Sequence, residues 1–184
     1  MKHAATSPVS FIAHVARLPK KGMPVVIDAD EKQRAALARE HGLEAVSRYH
    51  ADMIVAAWKN GGVRVSGTVE AEITQACVMT LEPIESKIAE KVTAVFLPEE
   101  SKLLRLDFHT ANEIVLNADG PDGPEVFSGD TIDVGALAEE FFALAIDPYP
   151  RKKGVSAPET PENDVSDEKR GELFEKLKSF TPKS

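Results

Sequence analysis

The sequence predicts an α+β domain: an antiparallel sheet in meander order, barrel-like closure left open, packed by two main helices. Three observations carry that prediction. Between Val63 and Thr80 the residues alternate, with Val63, Val65, Val69, Ala71, Ile73, Cys77 and Met79 on one face. Arg64, Ser66, Thr68, Glu70, Glu72 and Thr74 take the other, and a period of two puts one face in a core and one in water. Asn60-Gly61-Gly62 precedes this run and supplies residues that tolerate positive φ, as a hairpin requires. Finally, residues 31–41 and 134–146 read as helices bounded by start and stop signals.

In chain order, Val9 to Leu18 reads as a first strand, ended by the Pro19-Lys20-Lys21-Gly22 turn. Pro24 to Ile27 is a short apolar run leading into the first helix. Asp28, with Glu31 three residues on, has capping-box spacing, and the helix runs from Glu31 to His41 before stopping at Gly42. Val46 to Lys59 and Val63 to Thr80 are two long strands on either side of the hairpin. A third follows Pro83, with Ile84, Ile88, Val92, Ala94 and Phe96 in phase, and ends at Pro98. From Glu99 to Ser128 the pattern weakens: Leu103–Phe108 and Glu113–Leu116 read as strands or short helical turns, and Asp119–Pro124 as a loop. Glu125-Val126-Phe127 starts a short strand. Asp133 is the candidate N-cap of the second helix. There Val134, Leu137, Ala138, Phe141, Phe142, Leu144 and Ala145 cover a wide arc and leave Glu139 and Glu140 for solvent. Asp147-Pro148-Tyr149-Pro150 ends the helix. The expected organisation is one domain over residues 1–150, a flexible linker over 151–165, and a short terminal helix over 166–181. Leu173, Phe174, Leu177 and Phe180 would form the apolar face of that last helix.

Composition bounds the function. At 184 residues, 42% apolar and 28% charged, the chain suits one soluble domain with a real core. A single cysteine excludes an intrachain disulfide framework and fits a reducing compartment. No apolar run approaches the roughly 20 residues that span a bilayer, so no membrane association is expected. Phe11 to Val15 is too short for a secretory signal. Lys2, Arg17, Lys20 and Lys21 precede any acid, which keeps a transit peptide as the second reading to a cytoplasmic location. The net charge of −8 argues against nonspecific binding to phosphate backbones, DNA included. The cations are uneven, however: the first 27 residues carry bases and no acids, and Arg151-Lys152-Lys153 forms a second cluster. Local contact with RNA through these patches stays open beside the favoured protein partner.

Little in the chain points to enzyme chemistry. Cys77 as a nucleophile needs a base and an orienting group, and no signature places any of the five histidines beside it. Strand parity makes it a small core hydrophobe instead. Structural zinc takes four Cys or His ligands, usually with a Cys-x-x-Cys pair, and Thr80 stands where the second cysteine would be. Asp119 and Asp122 fit no EF-hand, and Gly61-Gly62 and Gly120 lack phosphate-loop spacing. Glu139 and Glu140 point about 100° apart on a helix and do not share a site. Trp58, just before the hairpin turn, reads as core edge, with a contact role left open. No cofactor is expected.

Three stretches resemble the YceD family, which is named for accumulation of large-subunit ribosomal RNA. They are Gly67-Thr68-Val69 through Gln75-Ala76-Cys77-Val78-Met79-Thr80-Leu81-Glu82-Pro83-Ile84, then Gly129 through Glu140 continuing to Leu144-Ala145-Ile146-Asp147-Pro148-Tyr149-Pro150, and the terminal Leu173 to Lys178. Many members carry a second cysteine at the place of Thr80 and further Cys or His at the place of Arg151-Lys152-Lys153, so a metal role does not carry over. The resemblance implies a non-enzymatic cytoplasmic factor supporting 23S ribosomal RNA accumulation or 50S assembly, with a ribosomal protein or assembly factor as partner. It marks Cys77, Leu81, Glu82, Pro83, Asp133, Asp147, Pro148, Pro150, Arg151, Lys152 and Lys153 as motif positions and as an interaction surface. The readings that compete with it are a thiol-dependent hydrolase or transferase using Cys77, and a small-ligand binding domain.

Overall fold

The computed structural model describes residues 6–101 and 123–154, and those up to Lys152 form one compact unit. The segments Leu103–Phe108 and Glu113–Leu116, most of the expected linker and the 166–181 helix lie outside the described residues. Within them the chain is α+β. Strands β1 (Ile12–His14) and β2 (Met23–Asp28) precede helix α1 (Glu31–Glu40) and strands β3 (Ala45–Ala57), β4 (Val63–Ala76) and β5 (Pro83–Pro98). Strands β6 (Glu125–Phe127) and β7 (Thr131–Asp133) lead into helix α2 (Val134–Leu144). The main sheet has five strands in the order β2-β3-β4-β5-β6. The β2 to β5 meander is antiparallel and β6 joins β5 in parallel. It is an open sheet, so the barrel-like option is not realised.

β4 is the centre of this arrangement. Its inward residues Val63, Val65, Val69, Ala71 and Ile73 are all buried, as the alternation predicts, and Cys77 just beyond its end is buried too. Each large one contributes about 1.5–3 kcal/mol when removed from water. Gly67 falls in the same register, opposite Met53. A Cβ there would stand 2.1 Å from the Asp52 carbonyl oxygen, so only glycine lets the two backbones close so tightly. The hairpin above it is also as the sequence predicts. Asn60 and Gly61 take φ of 53° and 77°, and the Trp58 N–H donates to the Gly62 carbonyl at 2.7 Å.

Helix α2 covers β4 and β5. Phe142 is fully buried and meets the rings of Tyr49 and His41 edge-on, each at 5.4 Å. The Tyr49 hydroxyl is buried without a hydrogen-bond partner among the described residues. Burial first, and the Glu139 charge second, raise its pKa well above the ordinary phenol value.

Several expectations are corrected. The first strand is only Ile12–His14 and pairs with β7 in a separate two-stranded sheet. The N-cap of α1 is Asp30, not Asp28. Asp30 accepts from the Gln33 N–H at 2.8 Å while the Gln33 side chain accepts from the Asp30 N–H at 2.9 Å, so the box uses Gln two positions later. Asp28 stays in β2 and binds His50 Nδ1 at 2.6 Å. β4 ends at Ala76, and Cys77–Thr80 form a turn rather than strand. Glu139 is not a solvated residue. It is 8% exposed and binds His41 Nε2 at 2.9 Å, because α2 is flanked by the end of α1 on the side that helical periodicity assigns to water. Leu144, counted in the apolar arc, is 78% exposed. Among the described residues no helix is long and apolar enough to cross a membrane.

Asp133 is a structural junction. Its carboxylate caps α2 by accepting from the Ala136 N–H at 3.0 Å. It also accepts from the Phe11 N–H at 3.0 Å and the Ser10 hydroxyl at 2.6 Å. One side chain therefore starts the helix and ties the amino-terminal segment across it. Gly135 is equally constrained, since a Cβ would lie 1.9 Å from the Val9 carbonyl oxygen. Asp133→Ala should cost about 2–3 kcal/mol, a lost cap plus two lost bonds. Gly135→Ala should cost about 3 kcal/mol or more through displacement of the Val9 segment. Urea unfolding of each variant measures both, and a Gly135→Ala midpoint equal to wild type would refute the close approach.

Candidate functional site

The two main motifs are far apart in sequence and meet in space at the end of β4. The first forms a six-residue turn between β4 and β5. The Cys77 N–H donates to the Glu82 carbonyl at 2.8 Å and the Leu81 N–H to the Cys77 carbonyl at 2.9 Å. Closing this loop puts Leu81 at φ 60°, a left-handed conformation that leucine rarely adopts. Pro83 then opens β5.

The second motif straps across this turn. The C-cap of α2 is Ala145, and Asp147 forms an Asx turn with the Tyr149 N–H at 2.9 Å. Gln75 Nε2 donates to the Asp147 carbonyl at 2.9 Å, and the Val78 N–H to the Pro150 carbonyl at 3.0 Å. Pro150 itself is buried. The Lys152 N–H donates to Cys77 Sγ at 3.4 Å, and Lys152 Nζ pairs with Glu82 Oε2 at 2.7 Å. That pair is half exposed on both sides and contributes little alone. Its effect is positional, because it lies in register with the backbone bonds.

Cys77 is covered, with 0% of its surface exposed. The Thr80 hydroxyl, then the N–H groups of Lys152 and Met79, lower the thiol from 9.0 to about 7, against the opposing effect of burial. Thr80 Oγ1 stands 3.4 Å from Glu82 Oε2, long for an O–H···O bond, which leaves its proton available to the sulfur. No histidine among the described residues is bonded to the thiol: His41 binds Glu139 and His50 binds Asp28. No group of three or more His, Cys, Asp or Glu among the described residues could hold a metal. Lys152 holds Glu82 below the usual carboxylate range, and Glu82 in turn raises Lys152.

The outer surface of this junction is apolar. Leu81 is 76% and Tyr149 70% exposed, and Val78 and Met79 are exposed beside them. Met79 therefore leaves the core face to which strand parity assigns it. The structure brings together Cys77, Leu81, Glu82, Pro83, Asp147, Pro148, Pro150 and Lys152, with Arg151 exposed next to them. Asp133 belongs to the opposite end of α2. Gln75 and Thr80 also position the junction, although the motif pattern does not single them out. Gln75 carried a signal, a polar side chain in register with the buried face. Its Oε1 is buried without a partner among the described residues.

Residues 65–181, more than half of the 184-residue chain, match the model of the family described as large ribosomal RNA subunit accumulation protein YceD. The chain belongs to the YceD family. The matched region begins within β4 and takes in both motif turns and α2, so the junction lies wholly inside the YceD segment. The YceD description names accumulation of an RNA rather than a catalysed reaction. No curated protein and no solved structure matches the chain.

The thiol arrangement makes a pH prediction. A folded-state pKa lowered to about 7 means the fold favours the thiolate. Its stabilising effect is complete above the unfolded thiol's range and is lost as pH falls through about 7. Thiolate absorbance of the native protein should titrate near pH 7, and Thr80→Val should move that midpoint upward. Iodoacetamide at pH 8 should modify Cys77 slowly until urea unfolds the chain; rapid native alkylation would contradict the covered geometry.

Proposed function

We propose that this chain supports accumulation of large-subunit ribosomal RNA by binding rather than by covalent chemistry. The motif junction is its docking surface for a basic ribosomal protein or large-subunit assembly factor. The observation that carries this reading is the exposed group of Val78, Met79, Leu81 and Tyr149, mounted on two turns that are bonded to each other. Apolar side chains on a rigid backbone lose little conformational entropy on association, and aromatic and aliphatic anchors of this kind dominate binding energy. The net charge of −8 favours a cationic protein through complementary potential. The thiol-enzyme alternative receives no support from a covered sulfur to which no histidine among the described residues is bonded, and the sheet of the described residues is open rather than a barrel around a small ligand.

Cells depleted of the native protein and supplied with variants test the proposal through ribosome gradients and 23S quantification. Leu81→Asp with Tyr149→Ala should remove about 2 kcal/mol or more of docking energy and leave precursor particles unmatured. Cys77→Ser should restore accumulation. Full activity of the double variant would sink the docking surface, and failure of a folded Cys77→Ser would revive the thiol chemistry.

A further inference from the structure

We propose that the hairpin end of the sheet binds a single strand of RNA, with Trp58 stacking on an unpaired base and nearby cations holding the phosphates. Trp58 is half-buried, and the Lys59 ammonium and Arg64 guanidinium each stand 6.0 Å from its ring centroid. The ring lines a groove of about 560 Å³ with Val15, Arg17, Leu18, Phe127 and Asp130. The Pro19-Lys20-Lys21-Gly22 turn reaches the same end, because Gly22 lies against Ile54, Val55 and Ala56, just before Trp58.

Arg17, Lys20, Lys21, Lys59 and Arg64 are all exposed, and none forms an ion pair among the described residues. Arg48, Lys87 and Lys152 are, by contrast, each matched to a glutamate. Against the five stand Asp130 in the groove wall and Glu99 and Glu100 just beyond β5. On a chain of net charge −8, unpaired cations gathered around an aromatic ring are a local reversal of the overall field. The ligand that fits carries regularly spaced negative charge and an accessible π-face, which is an unpaired polynucleotide strand. A duplex hides its base faces from the ring, and an acidic peptide offers it nothing to stack on.

These five cations and Trp58 all precede residue 65, outside the YceD match. The amino-terminal part of the chain therefore supplies the ring and the cations, while Phe127 and Asp130 of the groove wall come from the matched region. The strand-binding site does not rest on the docking reading of the motif junction, at the other end of β4.

Trp58 is the only tryptophan, so its fluorescence reports this site directly. Titration of the full chain with oligouridylate of about 12 nucleotides should give saturable quenching at about 50 mM salt. Raising salt to about 200 mM should weaken binding on the order of 100-fold if all five cations contact phosphates. Lys20→Ala with Lys21→Ala should weaken binding while the ring stays in place. Trp58→Ala, followed by gel mobility, should lose about tenfold. A matched DNA strand bound equally well supports recognition through phosphates and base faces, and tighter binding of RNA supports an added 2′-hydroxyl contact. No quenching and no mobility shift at low salt, with an unchanged circular dichroism spectrum, would overturn the proposal. So would a preference for duplex, quenching by an acidic peptide equal to that by RNA, or binding unaffected by the lysine substitutions.

Discussion

The inner face of β4 must be kept from water, and most of the domain is arranged to meet that demand. Its valines, Ala71 and Ile73 form a continuous apolar stripe in the middle of a sheet too short of strands to close on itself. Helix α2 supplies the cover, and Phe142 seats it against Tyr49 on the neighbouring strand. Once α2 is placed, both of its ends are placed too. Asp133 anchors one end to the Ser10–Phe11 segment. The proline turn at the other end falls against the β4–β5 turn, where backbone bonds to Val78 and Cys77 receive it. The motif junction is thus a consequence of helix packing as well as a surface in its own right.

The polar groups of the core repeat this logic. Glu139 is tolerated in the interior because His41, at the end of α1, stands opposite it. Removing either partner would leave the other poorly solvated, so the pair favours one seating of the helices over others. Two atoms, the Tyr49 hydroxyl and Gln75 Oε1, are buried without partners among the described residues. They flank the cover from β3 and β4, and each lowers the margin by which α2 holds its place.

The long central strands give the molecule two chemically different ends. β4 spans fourteen residues, about 45 Å of strand. At one end lies an apolar surface on cross-bonded turns, with its thiol buried beneath. At the other lies an aromatic ring among cations that form no ion pair within the described residues. The proposed protein contact and the proposed strand contact therefore fall at opposite ends of β4 and do not overlap. The matched family region contains the apolar end; the ring and the five cations of the other end precede it.

The sequence by itself determined the local periodicities. The β4 alternation, the Asn60-Gly61 turn, the Asp133 cap and the proline stop of α2 are all legible, because each depends on side chains within a few residues of one another. The antiparallel pairing of β3 with β4 follows from the Asn60-Gly61 turn, whereas β2 reaches β3 through α1 and its place in the sheet is not set by a local turn. Tertiary structure alone decided which faces meet. Glu139 looks solvated on a helical wheel, and only the arrival of His41 from α1 buries it. Met79 continues the strand parity, and only closure of the Cys77–Glu82 loop turns it outward. Asp133, more than a hundred positions away, claims the Ser10 and Phe11 donors and so takes the amino-terminal part of the expected first strand out of the sheet. Local pattern is written in contiguous residues, whereas burial and pairing are settled by chain segments whose approach no short window contains.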